Sequence, residues 1–204
     1  MKAFHALAFL VFSLYAVWQQ LSPPEKISSS TISAPHFGEK LKLTGLPNSG
    51  KINDFLFRGA QPHAQGFQEL KNLGITTIVD LRQDGSQKLD WERKQAQSVG
   101  IRFLNIPVNG WRPPTNDQVA QFLSLFSNPQ EKVFVHCRFG DDRTGVFIAS
   151  YRIAHDAWPA DQAVKEMYFF GFNGRWHPSM KTYVKQFPSA LKTVPALTPF
   201  QKQM

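Results

Sequence analysis

The sequence predicts an α/β domain: a central, mostly parallel sheet flanked by helices. Three observations carry this. The β-branched run ITTIVDL (75–81) has the density of a strand buried on both faces, and KVFVHC (132–137) reads as another strand. Between such runs lie stretches with apolar residues at helical spacing, such as DQVAQFLSLF (117–126). Strands and helices alternate along the chain, the pattern of a sheet sandwiched by helices. With 204 residues, 42% of them hydrophobic, the chain can bury one good core and is no disordered polymer.

The elements follow in order. After Met1-Lys2, residues 3–18 are apolar except for His5 and Ser13, which reads as an export signal or an uncleaved anchor. Residues 1–20 are therefore assigned to a signal peptide or membrane anchor, 21–40 to a linker rich in Ser and Pro, and 41–204 to the working domain. Export across the inner membrane of a bacterium is expected, with the domain in the periplasm, free or tethered through residues 3–18. INDFLFRG (52–59) reads as a strand ending in the turn-like Gly59-Ala60-Gln61-Pro62. AQGFQELKNLG (64–74) reads as a helix with Phe67, Leu70 and Leu73 on one side, stopped by Gly74. Trp91 to Val99 is expected to be helical, and IRFLNIPV (101–108) to start as a strand. Thr115 is placed to cap the next helix with Gln118 at the reciprocal position; Val119, Phe122, Leu123 and Phe126 form its apolar face, and Asn128-Pro129 ends it. KVFVHC delivers Cys137 to the end of a strand, and TGVFIASYRIAHD (144–156) is a strongly apolar helix. Helices are expected over Ala160 to Phe170 and Met180 to Phe187, with VPALTPFQKQM (194–204) running over the surface.

The net charge of +8, from 23 basic and 15 acidic residues, favours anionic partners. Nucleic acid is not among the expected ones, because a single cysteine permits no zinc-finger spacing and no run of aromatic and basic residues forms a stacking platform. The same lone cysteine cannot form an internal disulfide. The expected partner is an anionic phosphorylated small molecule or a phosphoprotein, met by a monomer.

The chemistry concentrates in VHCRFGDDRTG (135–145), a strand, a loop and the start of a helix. Open α/β sheets bind ligands at the C-terminal ends of strands, and a helix N-terminus offers unpaired N–H groups to an anion. If Cys137 to Arg143 wrap in a circle, their amides define a phosphate-sized nest, with Gly140 allowing the turn. The fork of Arg143 suits two phosphoryl oxygens, and such positive surroundings favour the cysteine thiolate. Thr144 is placed for its hydroxyl to reach the sulfur, and His136 to brace backbone. A cysteine that merely fills space, or a nest that binds phosphate without cleaving it, are the competing readings.

HCRFGDDRTG resembles the His-Cys-(five residues)-Arg-(Ser/Thr) signature of the cysteine-dependent phosphatase superfamily, which includes protein tyrosine and dual-specificity phosphatases. The resemblance runs roughly from Phe55 to Phe187. FRGAQP with FQELKNLGITTIVDLR is similar to the opening of small dual-specificity-like domains, where the Leu81-Arg82 end of a strand frames the site from beneath. NGWRPPTNDQVAQFLSLFSNPQEKVFVHC is similar to the phytase-like branch. The resemblance implies a dual-specificity-phosphatase-like fold and phosphomonoester hydrolysis through a phosphocysteine, with no metal and no cofactor. It makes Cys137 the nucleophile and Arg143 the clamp, has Arg138, Phe139, Gly140, Asp141 and Thr144 hold the phosphate, and puts His136 and Arg82 in support.

A departure concerns the acid. Where the phytase-like pattern has an Asp ahead of the tryptophan, this chain has Asn109-Gly110-Trp111, and no carboxylate lies between Glu92 and Asp117. Asp142-Arg143-Thr144 resembles the Asp-Arg-Thr of myotubularin-like phosphatases, in which a loop Asp is the proposed acid. Asp142 is therefore the favoured donor, ahead of Asp117, with Asp141 and no acid at all as lesser options; one of the loop pair could instead cap the helix or pair with Arg138. Arg112 and Arg138, with Arg175 or His177 on a late turn, would furnish a basic mouth and Trp111 a ring beside it. An inositol polyphosphate such as phytate is the expected substrate, with a phosphoinositide or a dual-specificity or tyrosine phosphoprotein role as alternatives.

Overall fold

The structure, a computed structural model, describes residues 36–83 and 85–201. The apolar segment 3–18 and linker residues 21–35 lie outside the described residues, and among the latter no helix is long and apolar enough to cross a membrane.

Six strands form one sheet: β1 (Glu39–Lys40), β2 (Gly50–Lys51), β3 (Leu56–Gly59), β4 (Thr77–Asp80), β5 (Arg102–Asn105) and β6 (Val133–His136). Their order is β1-β2-β3-β6-β4-β5. β1, β2 and β3 pair antiparallel, whereas β3–β6, β6–β4 and β4–β5 are parallel. The parallel part follows from helical crossovers: α1 (Gly66–Asn72) joins β3 to β4, α2 (Ser86–Ser98) joins β4 to β5, and α3 (Asn116–Ser124) joins β5 to β6.

Alternation along each strand decides which helices cover which face. Phe57, Ile78 and Phe134 turn to one side, where they pack with Phe67 and Leu70 of α1 and Ala96 of α2. Their neighbours Leu56, Val79, Val133 and Val135 turn to the other, against Val119 and Phe122 of α3 and the core of α4 (Asp142–His155). At roughly 1.5–3 kcal/mol for each large apolar side chain removed from water, these two layers are what hold the sheet. α4 is buried from Thr144 to Ala154 on every side, because α5 (Ala160–Phe169) and α6 (Pro178–Thr193) wrap its outer surface. Arg152, buried in this helix, is met by Glu166 at 2.8 Å and Asp156 at 2.8 Å.

Several boundaries differ from the sequence reading, each for a local reason. β1 precedes the expected domain start at Leu41, and the Gly38 amide just before it donates to Glu166. The strand expected from Ile52 begins only at Leu56, because the Asn53 carboxamide accepts from the Phe55 and Leu56 amides and closes a hairpin turn. α2 starts at Ser86 rather than Trp91. α6 continues through Pro188 to Thr193, since Met180, Val184, Phe187 and Leu191 keep one buried face past the proline. The tail does not simply run over the surface: Leu197 is fully buried in the main core.

Candidate active site

The registers bring three strand ends together. Gly59 of β3 and Asp80 of β4 both stand opposite His136, the last residue of β6. Cys137 follows immediately and is buried. The loop from Cys137 to Asp141 therefore lies over the carboxyl ends of the parallel strands and feeds α4 directly.

The loop is tied down along its length. The Gln61 amide donates to the Arg138 carbonyl at 3.4 Å, and the Asn48 carboxamide to the Phe139 carbonyl at 3.1 Å. Gly140 has φ +73°, and a Cβ there would stand 2.5 Å from Ala60 N and Gly59 O, so glycine is required twice over. Arg58 of β3 donates from beneath to the Gly140 carbonyl. Asp141 is the N-cap of α4: its side chain accepts from the Asp142 amide at 2.8 Å. Of the two roles weighed for the acidic pair, the cap thus falls to Asp141.

Arg143 lies on the first turn of α4 and reaches toward the Leu81 and Val108 carbonyls, each at 3.4 Å. The ends of β4 and β5 thus steady the guanidinium, which agrees with Leu81 as part of the frame. Thr144 differs from expectation. Its hydroxyl is buried and has no hydrogen-bond partner among the described residues, the sulfur included, because α4 turns the side chain into the core.

Beneath the loop is a buried ionic network. Arg82 binds Asp80 at 2.7 Å and Glu92 at 2.5 Å, and the His136 Nε2 lies 2.7 Å from Glu92. Burial pulls the His136 imidazole down, but Glu92 and Asp80 push it further the other way, to about 9, against a smaller opposing effect of Arg82. It is therefore a cation at neutrality. Its Nδ1 stands 3.1 Å from the Cys137 carbonyl, the backbone brace expected of it. Asp80, Glu92 and His136 converge closely enough to ligate a metal, yet the Arg82 guanidinium lies on both carboxylates and the histidine is protonated. Such a cluster is an ion-pair network and suits no added cation.

Asp142 is half-buried. Its Oδ1 accepts from the Asn173 amide at 2.9 Å, and Oδ2 stands 3.2 Å from His177 Nε2. Burial raises its carboxyl above the ordinary value, with help from Asp141, against the Asn173 hydrogen bond and the nearby His177 and Arg143. His177 is buried and so leaves the expected basic mouth; its ring instead lies 5.2 Å from that of Trp111. Trp111, Arg112, Arg138, Phe139 and Arg175 are exposed. Asn109, in place of the usual Asp, accepts from the Trp111 amide and shapes its own turn. Asp117 is exposed on the first turn of α3.

Sequence reasoning missed Arg58, Glu92 and the Asp142–His177 contact. The signal for Arg58 was a charged residue inside the apolar strand LFRG; for Glu92 it was an acid on the inward face of a helix.

The sequence pattern of the family described as "DSP-PTPase phosphatase fused to NAD+ Kinase" matches residues 45–179. The chain belongs to this family of cysteine-dependent phosphatases. The dual specificity protein phosphatase TpbA of Pseudomonas aeruginosa is 29% identical over 126 residues, covering 61% of this chain and 55% of TpbA. The putative tyrosine-protein phosphatase OCA1 of Mycosarcoma maydis is 28% identical over 113 residues, 54% of this chain and 72% of that protein. The chain thus spans little more than half the length of TpbA. The crystal structure of P. aeruginosa TpbA superposes with a TM-score of 0.63 at 24% identity, covering 78% of this chain and 99% of that one. The core catalytic domain of the PP-IP phosphatase SIW14 from S. cerevisiae, in complex with citrate, gives 0.63 at 16% identity over 78% and 97%. These likenesses show the dual-specificity-phosphatase-like fold.

Proposed function

We propose that this protein hydrolyses phosphomonoesters through a phosphocysteine. The Cys137 sulfur attacks phosphorus, the P–O bond to the alcohol breaks, and the leaving oxygen takes a proton from Asp142; water then cleaves the P–S bond. Arg143 and the loop amides hold the equatorial oxygens, and neither step needs a metal or a cofactor. The observation that carries this reading is the placement of Cys137 inside a loop pinned from below and running into a helix whose first turn holds both Arg143 and Asp142. Asp142 suits the acid because burial favours its protonated form, and the 3.2 Å contact with His177 holds Oδ2 in place. A pure phosphate-binding module would need neither feature.

The substrate class proposed is an inositol polyphosphate. Arg112, Arg138 and Arg175 remain exposed and suit the spare phosphates of a polyphosphorylated ring, whose remote binding energy orients one ester over the sulfur. A structural neighbour is described as a PP-IP phosphatase. A phosphotyrosine protein is the second reading, favoured by the exposed rings of Trp111 and Phe139 and by a TpbA structure described as in complex with pTyr. Kinetics on phytate, a soluble phosphoinositide and phosphotyrosine peptides decide between them. A higher kcat/KM on the peptides would overturn the inositol assignment, and a trapped phosphoenzyme on Cys137 would exclude the binding module. Residues 3–18 are proposed to export or anchor the protein; recovery of the full chain in the cytoplasmic fraction would refute that.

A further inference from the structure

Beside the phosphate loop the surface opens into a groove of about 530 Å³, within the roughly 300–1,000 Å³ of small-molecule sites. Pro47, Pro62, Trp91 and Phe139 give it apolar walls, His63 and Arg138 are its ionisable groups, and no carboxylate lines it. The turn that leaves β3 supplies Pro62 and His63, α2 supplies Trp91, and the phosphate loop itself supplies Arg138 and Phe139. The groove therefore begins at the residue that follows Cys137.

The backbone holds this groove open. The Ala60 amide donates to the Pro47 carbonyl at 2.8 Å, the His63 amide to the Gly45 carbonyl at 2.9 Å, and the Gln61 amide to the Arg138 carbonyl at 3.4 Å. Asn48 fixes the opposite wall through the Phe139 carbonyl at 3.1 Å. The Trp91 ring stands edge-on to the buried Phe67, with centroids 5.9 Å apart. Walls set in advance leave little ordering to be met when a ligand arrives.

Its charge is unanswered from within the protein. The Arg138 guanidinium rests 5.2 Å from the Phe139 ring centroid, a contact that keeps it at the wall with its donors free for an anion. The acid nearest in sequence to Trp91, Asp90, is paired with Arg93 at 2.6 Å. Aromatic walls with a few polar groups are the composition of a site that holds a ring and fixes its orientation.

We propose that this groove is a second anion subsite, which takes a further phosphate of a polyphosphorylated ring while its neighbour is cleaved over Cys137. Arg138 and His63 donate to that phosphate, and Trp91 and Phe139 face the C–H surface of the ring. The proposal rests on the inositol polyphosphate reading and adds His63 and Trp91 to it as specificity residues.

A pair of ring substrates tests it in the full-length protein: cyclohexyl phosphate, and the bisphosphate of cyclohexane-1,2-diol. Wild type should prefer the bisphosphate. His63→Glu should lower kcat/KM on the bisphosphate about tenfold, the scale of one lost hydrogen bond to a charged group, and act through KM with kcat nearly unchanged. On cyclohexyl phosphate the same variant should stay within about twofold, because that substrate has nothing to place in the groove. Trp91→Ala should raise KM for both ring compounds and leave methyl phosphate as in wild type. Equal losses on the two ring substrates in His63→Glu would mark a structural role and overturn the proposal, as would a bisphosphate preference that survives the change. A larger loss on phosphotyrosine peptides than on the bisphosphate would give the groove to a peptide and overturn it too. Should His63→Glu fail to fold, His63→Ala carries the test, with an expected loss of about threefold confined to the bisphosphate. Failure of the inositol polyphosphate reading shows in wild type alone, as no preference for the bisphosphate; failure of the subsite shows as a wild-type preference that the variants leave intact.

Discussion

Replacing Gly140 by Ala tests the loop most directly. A methyl at this position would lie 2.5 Å from Ala60 N and Gly59 O, both backbone atoms of the turn leaving β3. Neither can rotate aside, so the loop or the end of β3 must shift. The left-handed φ of +73° adds roughly 1–2 kcal/mol for any residue with a Cβ, and overpacking of one methyl adds about 1–3 kcal/mol. Together these predict a loss of roughly 2–5 kcal/mol, against a total stability of about 5–15 kcal/mol for such a domain. The displacement also lifts the Gly140 carbonyl off Arg58, so anion binding should suffer beyond the loss of stability. The assay is urea denaturation with and without inorganic phosphate. Wild type should gain stability from saturating phosphate, as any ligand of the folded state confers. Gly140→Ala should unfold at lower urea and gain much less. An unchanged midpoint together with an unchanged phosphate shift would refute the reasoning that this contact shapes the nest.

Changing Cys137 to Ser should abolish turnover of p-nitrophenyl phosphate and leave phosphate binding, read by calorimetry, within a few-fold; residual turnover near wild type would move the nucleophile elsewhere. Asp142→Asn should slow alkyl phosphates by roughly 10²–10⁴-fold, the usual worth of general acid catalysis, and aryl phosphates much less, whereas equal losses on both would mark Asp142 as a strut between α4 and the Asn173 turn. His136 gives a pH signature. Its folded value of about 9 lies above the ordinary 6.5, so its contribution is complete below about pH 6.5 and is lost as pH rises through about 9. A urea midpoint that falls across this window in wild type, and does not in His136→Gln, is the expected outcome. Arg152→Met strands the buried Glu166 carboxylate and should cost about 3–5 kcal/mol by thermal melting; a change under 1 kcal/mol would show that Glu166 is otherwise satisfied.

Local signals carried much of this into the sequence. The capping box is an example: Thr115 Oγ1 accepts from the Gln118 amide, and the Gln118 side chain returns the favour at 2.8 Å. The strand–loop–helix around Cys137 was equally readable, because β-branched density, a glycine and an apolar helical run all lie within a few residues. Arg58, Glu92 and His177 were not readable in their roles. A pattern of periods tells which way a side chain points but not which charge from another segment will meet it. The Asp142 partner is 31 residues away at Asn173, and the Gly140 partner is 82 away at Arg58. The tail was misjudged for a related reason, since two prolines suggest a surface run and nothing nearby announces the socket for Leu197.

The ties on the phosphate loop have a bearing on how this domain folds. Asn48 reaches Phe139 across 91 residues, Arg58 reaches Gly140 across 82, and Arg143 reaches Leu81 across 62. Contacts so remote along the chain close slowly, since loop-closure entropy must be met before they give any return. The nest is thus assembled from the N-terminal hairpin, the middle of the sheet and the α5–α6 turn, and no short stretch of the chain contains it. A chain that begins after Arg58 or ends before Asn173 should keep helices visible to circular dichroism and hold no phosphate. Phosphate protection then becomes a clock for the last event of folding, readable by stopped flow without any label in the protein.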